Sequence, residues 1–156
     1  MCPTLPRPDY FLNVINTLHE FEAAPGSLEE RQQSLLLDLA RSVEGGTGLT
    51  DALLQRVNEL FEQYSAIRLQ ARFVPGHEGK RGVLLQAVFA DGRDEPKRIY
   101  MEAMISMLET MERRLLELQT CIQCDNWFIP YERAGVAKFC STKCRNRYHY
   151  LLKKHG

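Results

Sequence analysis

CIQCDNWFIPYERAGVAKFCSTKCRNRYHYLL, residues 121–152, holds two close cysteine pairs, Cys121/Cys124 and Cys140/Cys144, with fifteen residues between them. Two residues on a tight turn let both sulfurs of the first pair point at one ion. The three residues inside the second pair suit one turn of helix, where i and i+4 share a face. Four thiolates complete a tetrahedron, so the spacing predicts one structural Zn²⁺ per chain on Cys121, Cys124, Cys140 and Cys144. Such a site leaves no open position for water or substrate. A disulfide reading needs an oxidising compartment, and no signal-peptide pattern is found. Cys2 has no nearby partner and reads as a bystander.

Between the pairs, Trp127, Phe128, Ile129, Tyr131 and Phe139 are expected to cover the metal, with a hairpin tip at Gly135. Ser141 or Thr142 is expected to cap a helix running through Cys144 to Lys154. Knuckle, hairpin and ligand-bearing helix in that order make a treble-clef-like finger. On the helix, Cys144, Tyr148 and Leu151 form an inward stripe. Lys143, Arg147, Tyr150 and Lys154 form a second stripe, flanked by Arg145, His149 and Lys153. Basic residues with interleaved Tyr and His suit phosphate contacts and base contacts. A solvated helix end whose Lys and Arg complement the macrodipole is the competing explanation. Asn146 joins the candidate nucleic-acid set through a different contact, the edge of adenine.

The stretch resembles the CGNR zinc fingers through Cys121, Cys124, Phe139-Cys140-Ser141 and Cys144-Arg145-Asn146-Arg147. Arg145 stands where that family's name motif has Gly, and the last cysteine pair is one residue closer than is usual there. Phe11 to Leu18, FLNVINTL, is similar to the opening of ABATE domains, which precede these fingers. The resemblance implies a bacterial stress-response transcriptional regulator that binds DNA.

The remainder predicts an α+β protein: a mostly helical body with one β-hairpin at residues 1–119, then the finger at 120–156. Formal net charge is zero, but residues 1–117 carry 13 Lys+Arg against 18 Asp+Glu, and residues 118–156 carry 7 against 2. An acidic body with a basic tail fits a tail that meets a polyanion, its own body or another subunit. After a Pro-rich start, a helix is expected from Asp9 to about Phe21 with Phe11, Val14, Ile15 and Leu18 inward. Asn13 and Asn16 lie off that stripe and read as surface residues. Ser27-Leu28-Glu29-Glu30 is a capping box opening a second helix to about Val43. The Gly45–Gly48 cluster ends it; with no Gly-Lys-Ser/Thr ending and no preceding strand, it is not a phosphate loop. A third helix opens at Thr50, with Leu53, Leu54, Val57, Leu60, Phe61 and Tyr64 as its face.

The period then changes to two. Ile67, Leu69, Ala71 and Phe73 alternate with polar residues, and Val83 to Ala90 follows as a second strand. Two strands alone are marginal, so this hairpin must pack on the helices or pair with another chain. A long helix is expected from about Glu95 to Gln119, with Met104, Leu108, Met111, Leu115 and Leu118 inward and core packing as the role of its methionines. No internal repeat or low-complexity tract stands out.

No spacing supports a Ser/His/Asp or Cys/His catalytic set, so an enzyme is not expected. The residues favour a zinc-finger nucleic-acid-binding regulator. A zinc-stapled protein-interaction adaptor and a thiol-redox sensor stand as alternatives. DNA is the expected partner, and RNA and a homodimer are left open. With no leader and no apolar run near the roughly 18 residues of a span, a cytoplasmic protein without membrane contact is expected.

Overall fold

The computed structural model describes residues 10–130 and 138–156. The Pro-rich start with Cys2, Tyr131 and the expected hairpin tip at Gly135 lie outside them. Among the described residues the chain is α+β, with five α-helices and an antiparallel hairpin.

Helix α1, Tyr10–Asn16, is shorter than its periodicity suggests. The Thr17 hydroxyl donates back to the Asn13 carbonyl at 2.7 Å, and the chain tightens into a 3₁₀ turn at Leu18–Glu20. Helix α2, Leu28–Glu44, opens on Ser27, whose hydroxyl accepts from the Glu30 amide at 3.2 Å. The Ser27 amide itself donates to the Ala24 carbonyl at 3.1 Å, so the turn takes the place that a reciprocal Glu30 bond has in a full capping box. Helix α3, Asp51–Gln63, is capped in the same way by Thr50. Leu53, Val57 and Leu60 are buried on it, whereas Leu54 and Phe61, on the margins of the expected face, are exposed.

Helix α4, Pro96–Arg113, packs against α1 and α2 and forms the centre of the core. Met101, Met104 and Met107 are buried there, so the methionine face is core. The helix ends six residues earlier than expected. Arg114 is extended, with φ −156° and ψ 163°. From that point side chains alternate: Leu116 and Leu118 turn inward and Leu115 is 86% exposed. Leu115 therefore drops out of the expected stripe because the period switches from 3.6 to two.

Strands β1, Ile67–Pro75, and β2, Arg81–Phe89, form a long hairpin. Its root is pinned. The Ala90 amide donates to the Ala66 carbonyl at 2.9 Å, Tyr64 Oη donates to Asp91 Oδ2 at 2.8 Å, and the Arg98 guanidinium lies 3.9 Å from the Phe89 ring centroid. Beyond the root neither face is covered by the helices: Leu69, Phe73, Val83 and Leu85 are 76%, 69%, 70% and 68% exposed. Of the two expected solutions for this hairpin, packing on the body is confined to the root. Two short strands, β3, Gln119–Thr120, and β4, Trp127–Phe128, then lead to helix α5, Thr142–His155. Among the described residues no helix is long and apolar enough to cross a membrane.

Candidate metal centre

The first cysteine pair sits on a knuckle between β3 and β4. The Cys121 amide donates to the Asn126 carbonyl at 2.9 Å, and the Asp125 amide donates to the Cys121 carbonyl at 2.8 Å. Asp125 adopts a left-handed φ of 61°, which a short Asx side chain tolerates and which closes the turn. The Ile122 amide donates to the Lys138 carbonyl at 3.1 Å, and so draws the returning chain alongside the knuckle. Two residues later comes Cys140. Ser141, rather than Thr142, caps α5: its hydroxyl accepts from the Cys144 amide at 3.2 Å. Cys144 thus occupies the first turn of α5.

All four sulfurs lie within 4.8 Å of one another. Cys124 and Cys140 are 3.6 Å apart, as are Cys140 and Cys144. A disulfide needs about 2.05 Å, so the thiols are not bonded to each other. Sulfurs at about 2.3 Å from a tetrahedral ion would stand roughly 3.8 Å apart, close to the 3.6 Å of these two pairs. Cys121 is fully buried, Cys140 and Cys144 are half-buried and Cys124 is exposed. The four predicted ligands therefore converge on one point that a metal ion fits.

Burial, together with the thiols of Cys144 and Cys124, pushes Cys140 up to about 12. Burial raises Cys124 as well. Burial also acts upward on Cys121, but backbone amides of Cys140, Cys124 and Gln123 outweigh it and bring that thiol down to about 6. Cys124 and Cys140 thus hold their protons at neutral pH and must surrender them to a metal. Acid then competes with the ion, and affinity falls as pH falls. With at least two protons displaced, metal affinity measured by chelator competition should rise by about 100-fold or more per pH unit between about pH 6.5 and 7.5. A flat profile would remove the cysteines as ligands.

The aromatic residues divide differently from expectation. Trp127 and Ile129 pack on the core of the helical body, and Phe128 is buried. Trp127 and Ile129 thereby tie the knuckle to the body, whereas Phe128 is buried outside that core cluster. Phe139 remains beside the finger, with its ring centroid 5.3 Å from that of Tyr148. Asn16 makes a tie that sequence reasoning missed. Its Nδ2 donates to the Trp127 carbonyl at 3.0 Å, and its Oδ1 accepts from the Trp127 amide at 2.7 Å. The side-chain amide thereby imitates a strand neighbour for β4. Asn13, one turn earlier, is exposed; Asn16 instead lines a groove of about 450 Å³ between α1, α2 and the knuckle. The FLNVINTL motif singled Asn16 out, but nothing local names its partner. Asn16→Ala should cost about 1–3 kcal/mol, because it strands the half-buried Trp127 amide. Thermal melts and faster hydrogen exchange at Trp127 would check it.

The candidate nucleic-acid residues all lie on α5, and Lys143, Arg145, Asn146, Arg147, Tyr150 and Lys154 are all exposed. At roughly 100° per residue, Lys143, Arg147, Tyr150 and Lys154 fall within one narrow stripe with Asn146 at its margin. Arg145 emerges from the opposite side of the helix. Cys144, Tyr148 and Leu151 are the half-buried face, as their spacing predicts.

No protein-family model matches the chain, and no curated protein matches it. The class that fold and site define is thus a mixed helix-and-strand protein with a C-terminal four-cysteine cluster able to hold a structural metal.

Proposed function

We propose that the cysteine quartet holds one zinc ion and that the module it staples is a DNA-binding finger of the CGNR type, behind an ABATE-like body, in a transcriptional regulator. A sulfur-only tetrahedral donor set suits zinc among the common ions, and its role there is to fold the module. The observation that carries the DNA reading is the bare basic stripe of α5. No residue of this helix is buried, and Lys143, Arg147, Tyr150 and Lys154 share one uncovered face. The set is built for phosphates with one or two base contacts. The reading is non-catalytic and places the thiols in a reducing compartment such as the cytoplasm.

Metal analysis of protein purified without chelator should find one zinc per chain. A salt titration tests the polyanion. For three phosphate contacts per chain, the log–log slope of duplex-DNA affinity against salt should be about −2.7. Lys143→Ala or Lys154→Ala should each make it shallower by about one unit and weaken all sequences alike. Arg147→Lys should lose discrimination between sites, because only the guanidinium fork pairs with both O6 and N7 of guanine. Tighter binding to single-stranded RNA would move the reading to RNA. Salt-independent behaviour would remove it.

A further inference from the structure

The register of the uncovered hairpin reveals a short repeat that the linear reading missed. Strand β1 contains Ile67-Arg68-Leu69-Gln70-Ala71-Arg72-Phe73, and β2 contains Val83-Leu84-Leu85-Gln86-Ala87-Val88-Phe89. The antiparallel register pairs Ile67 with Phe89, Leu69 with Ala87, Ala71 with Leu85 and Phe73 with Val83. Cross-strand partners share a face, so these residues make one continuous apolar plate. Turning the plate by half a turn about its normal superposes Ile67 on Val83, Leu69 on Leu85, Ala71 on Ala87 and Phe73 on Phe89. The opposite face is mixed: Arg68, Gln70, Arg72 and Gln86 share it with Val74, Leu84 and Val88, of which Val74 and Leu84 are half-buried and Val88 is 41% exposed.

We propose that this plate is a self-association surface, and that a second copy of the chain stacks its own plate on it about a twofold axis. Three observations select that occupant. The first is relief. With the twofold axis along the strands, Leu69 meets Ala87 of the partner subunit and Leu85 meets Ala71 of the partner subunit. With the axis across the strands, the leucines again meet alanines and the phenylalanines again meet Ile or Val. Every large side chain thus faces a smaller or branched one, the self-complementarity that an isologous interface requires. The second is area. Ile67, Leu69, Phe73, Val83, Leu85 and Phe89 are each more than half exposed. Together they present on the order of 800 Å², the share of one partner in a standard interface. The third is charge. The middle of the plate has none, so nothing ionic is buried. The arginines stand at the ends, Arg98 over Phe89 at 3.9 Å and Arg81 beside Phe73 at 5.6 Å. That is an apolar centre with a polar rim. Edge-to-edge pairing of hairpins would leave the plate in water, and a lone hairpin with an open apolar face is marginal. Face-to-face stacking covers it.

Sedimentation equilibrium of the full chain tests this. The parent should sediment at twice its 18.0 kDa mass at micromolar concentration. Leu85→Glu, and independently Leu69→Lys, should weaken the dimer by on the order of 10³-fold, since both copies lose a central contact. Their helical circular dichroism should be unchanged, because Leu69 and Leu85 are 76% and 68% exposed and the plate's contact with α4 is made by Phe89 under Arg98. Gln70→Glu, on the opposite face, should leave the dimer intact. A monomeric parent overturns the proposal and leaves the plate to a different protein. A dimer that survives both leucine substitutions, or that Gln70→Glu also breaks, overturns it too.

Discussion

Cys140→Ser is expected to release the metal and melt the C-terminal module, while α1 to α4 stay folded. Structural zinc in finger peptides supplies about 10–16 kcal/mol of apparent folding free energy. Beyond the knuckle, which Trp127, Ile129 and Asn16 hold to the body, the module has little else to hold it. None of the 14 residues of α5 is buried, and the returning chain is held to the knuckle by the Ile122–Lys138 bond. The body has its own apolar core, from Phe11 through Leu39 and Val57 to Met107. Far-UV circular dichroism should therefore lose about one helix and then show the body's own cooperative melt. That melt should come somewhat early, because Trp127 and Ile129 pack on the core of the body and Asn16 grips β4. Stripping the metal with a chelator should reproduce the mutant and adding it back should reverse the change. Loss of all helical signal in one step would mean that the body depends on the metal.

Phe11→Ala should cost the body about 3–5 kcal/mol, the range for deleting a buried ring that leaves a cavity. Phe11 is fully buried on α1, which packs on α4. Interiors are packed to crystal density, so the neighbours relax only in part. The midpoint of urea unfolding should fall with no change in slope, and metal content should be retained. An effect below about 1 kcal/mol would mean that α1 is not part of the central packing.

The contrast between these two sites follows how far apart in the chain their parts lie. Metal ligands, caps and helix faces are short-range features. Cys121 and Cys124 share a turn, Cys140 and Cys144 share a helical turn, and Ser27, Thr50 and Ser141 each cap the amide three residues on. Backbone periodicity alone brings such residues together, so the α+β class, the ligand set and the exposed basic stripe were legible before any coordinates. The end of α4 was not. Leu115 and Leu118 continue a helical spacing in the sequence, and the switch at Arg114 to an alternating run comes from docking Leu116 and Leu118 into the core.

Local spacing by itself determined the two cysteine pairs, most of the helical faces and the alternating strands. Tertiary structure alone decided that Asn16 reaches Trp127, 111 residues away, and that the hairpin projects clear of the helices. Both are questions of which surface meets which, and neither the period of a strand nor the polarity of an asparagine contains that information. For Asn16 the answer is a backbone amide and carbonyl at the start of β4 that, among the described residues, have no strand on their other side. For the hairpin it is a core built by α1, α2, α3 and α4 without the apolar face of β1 and β2, which among the described residues stays uncovered.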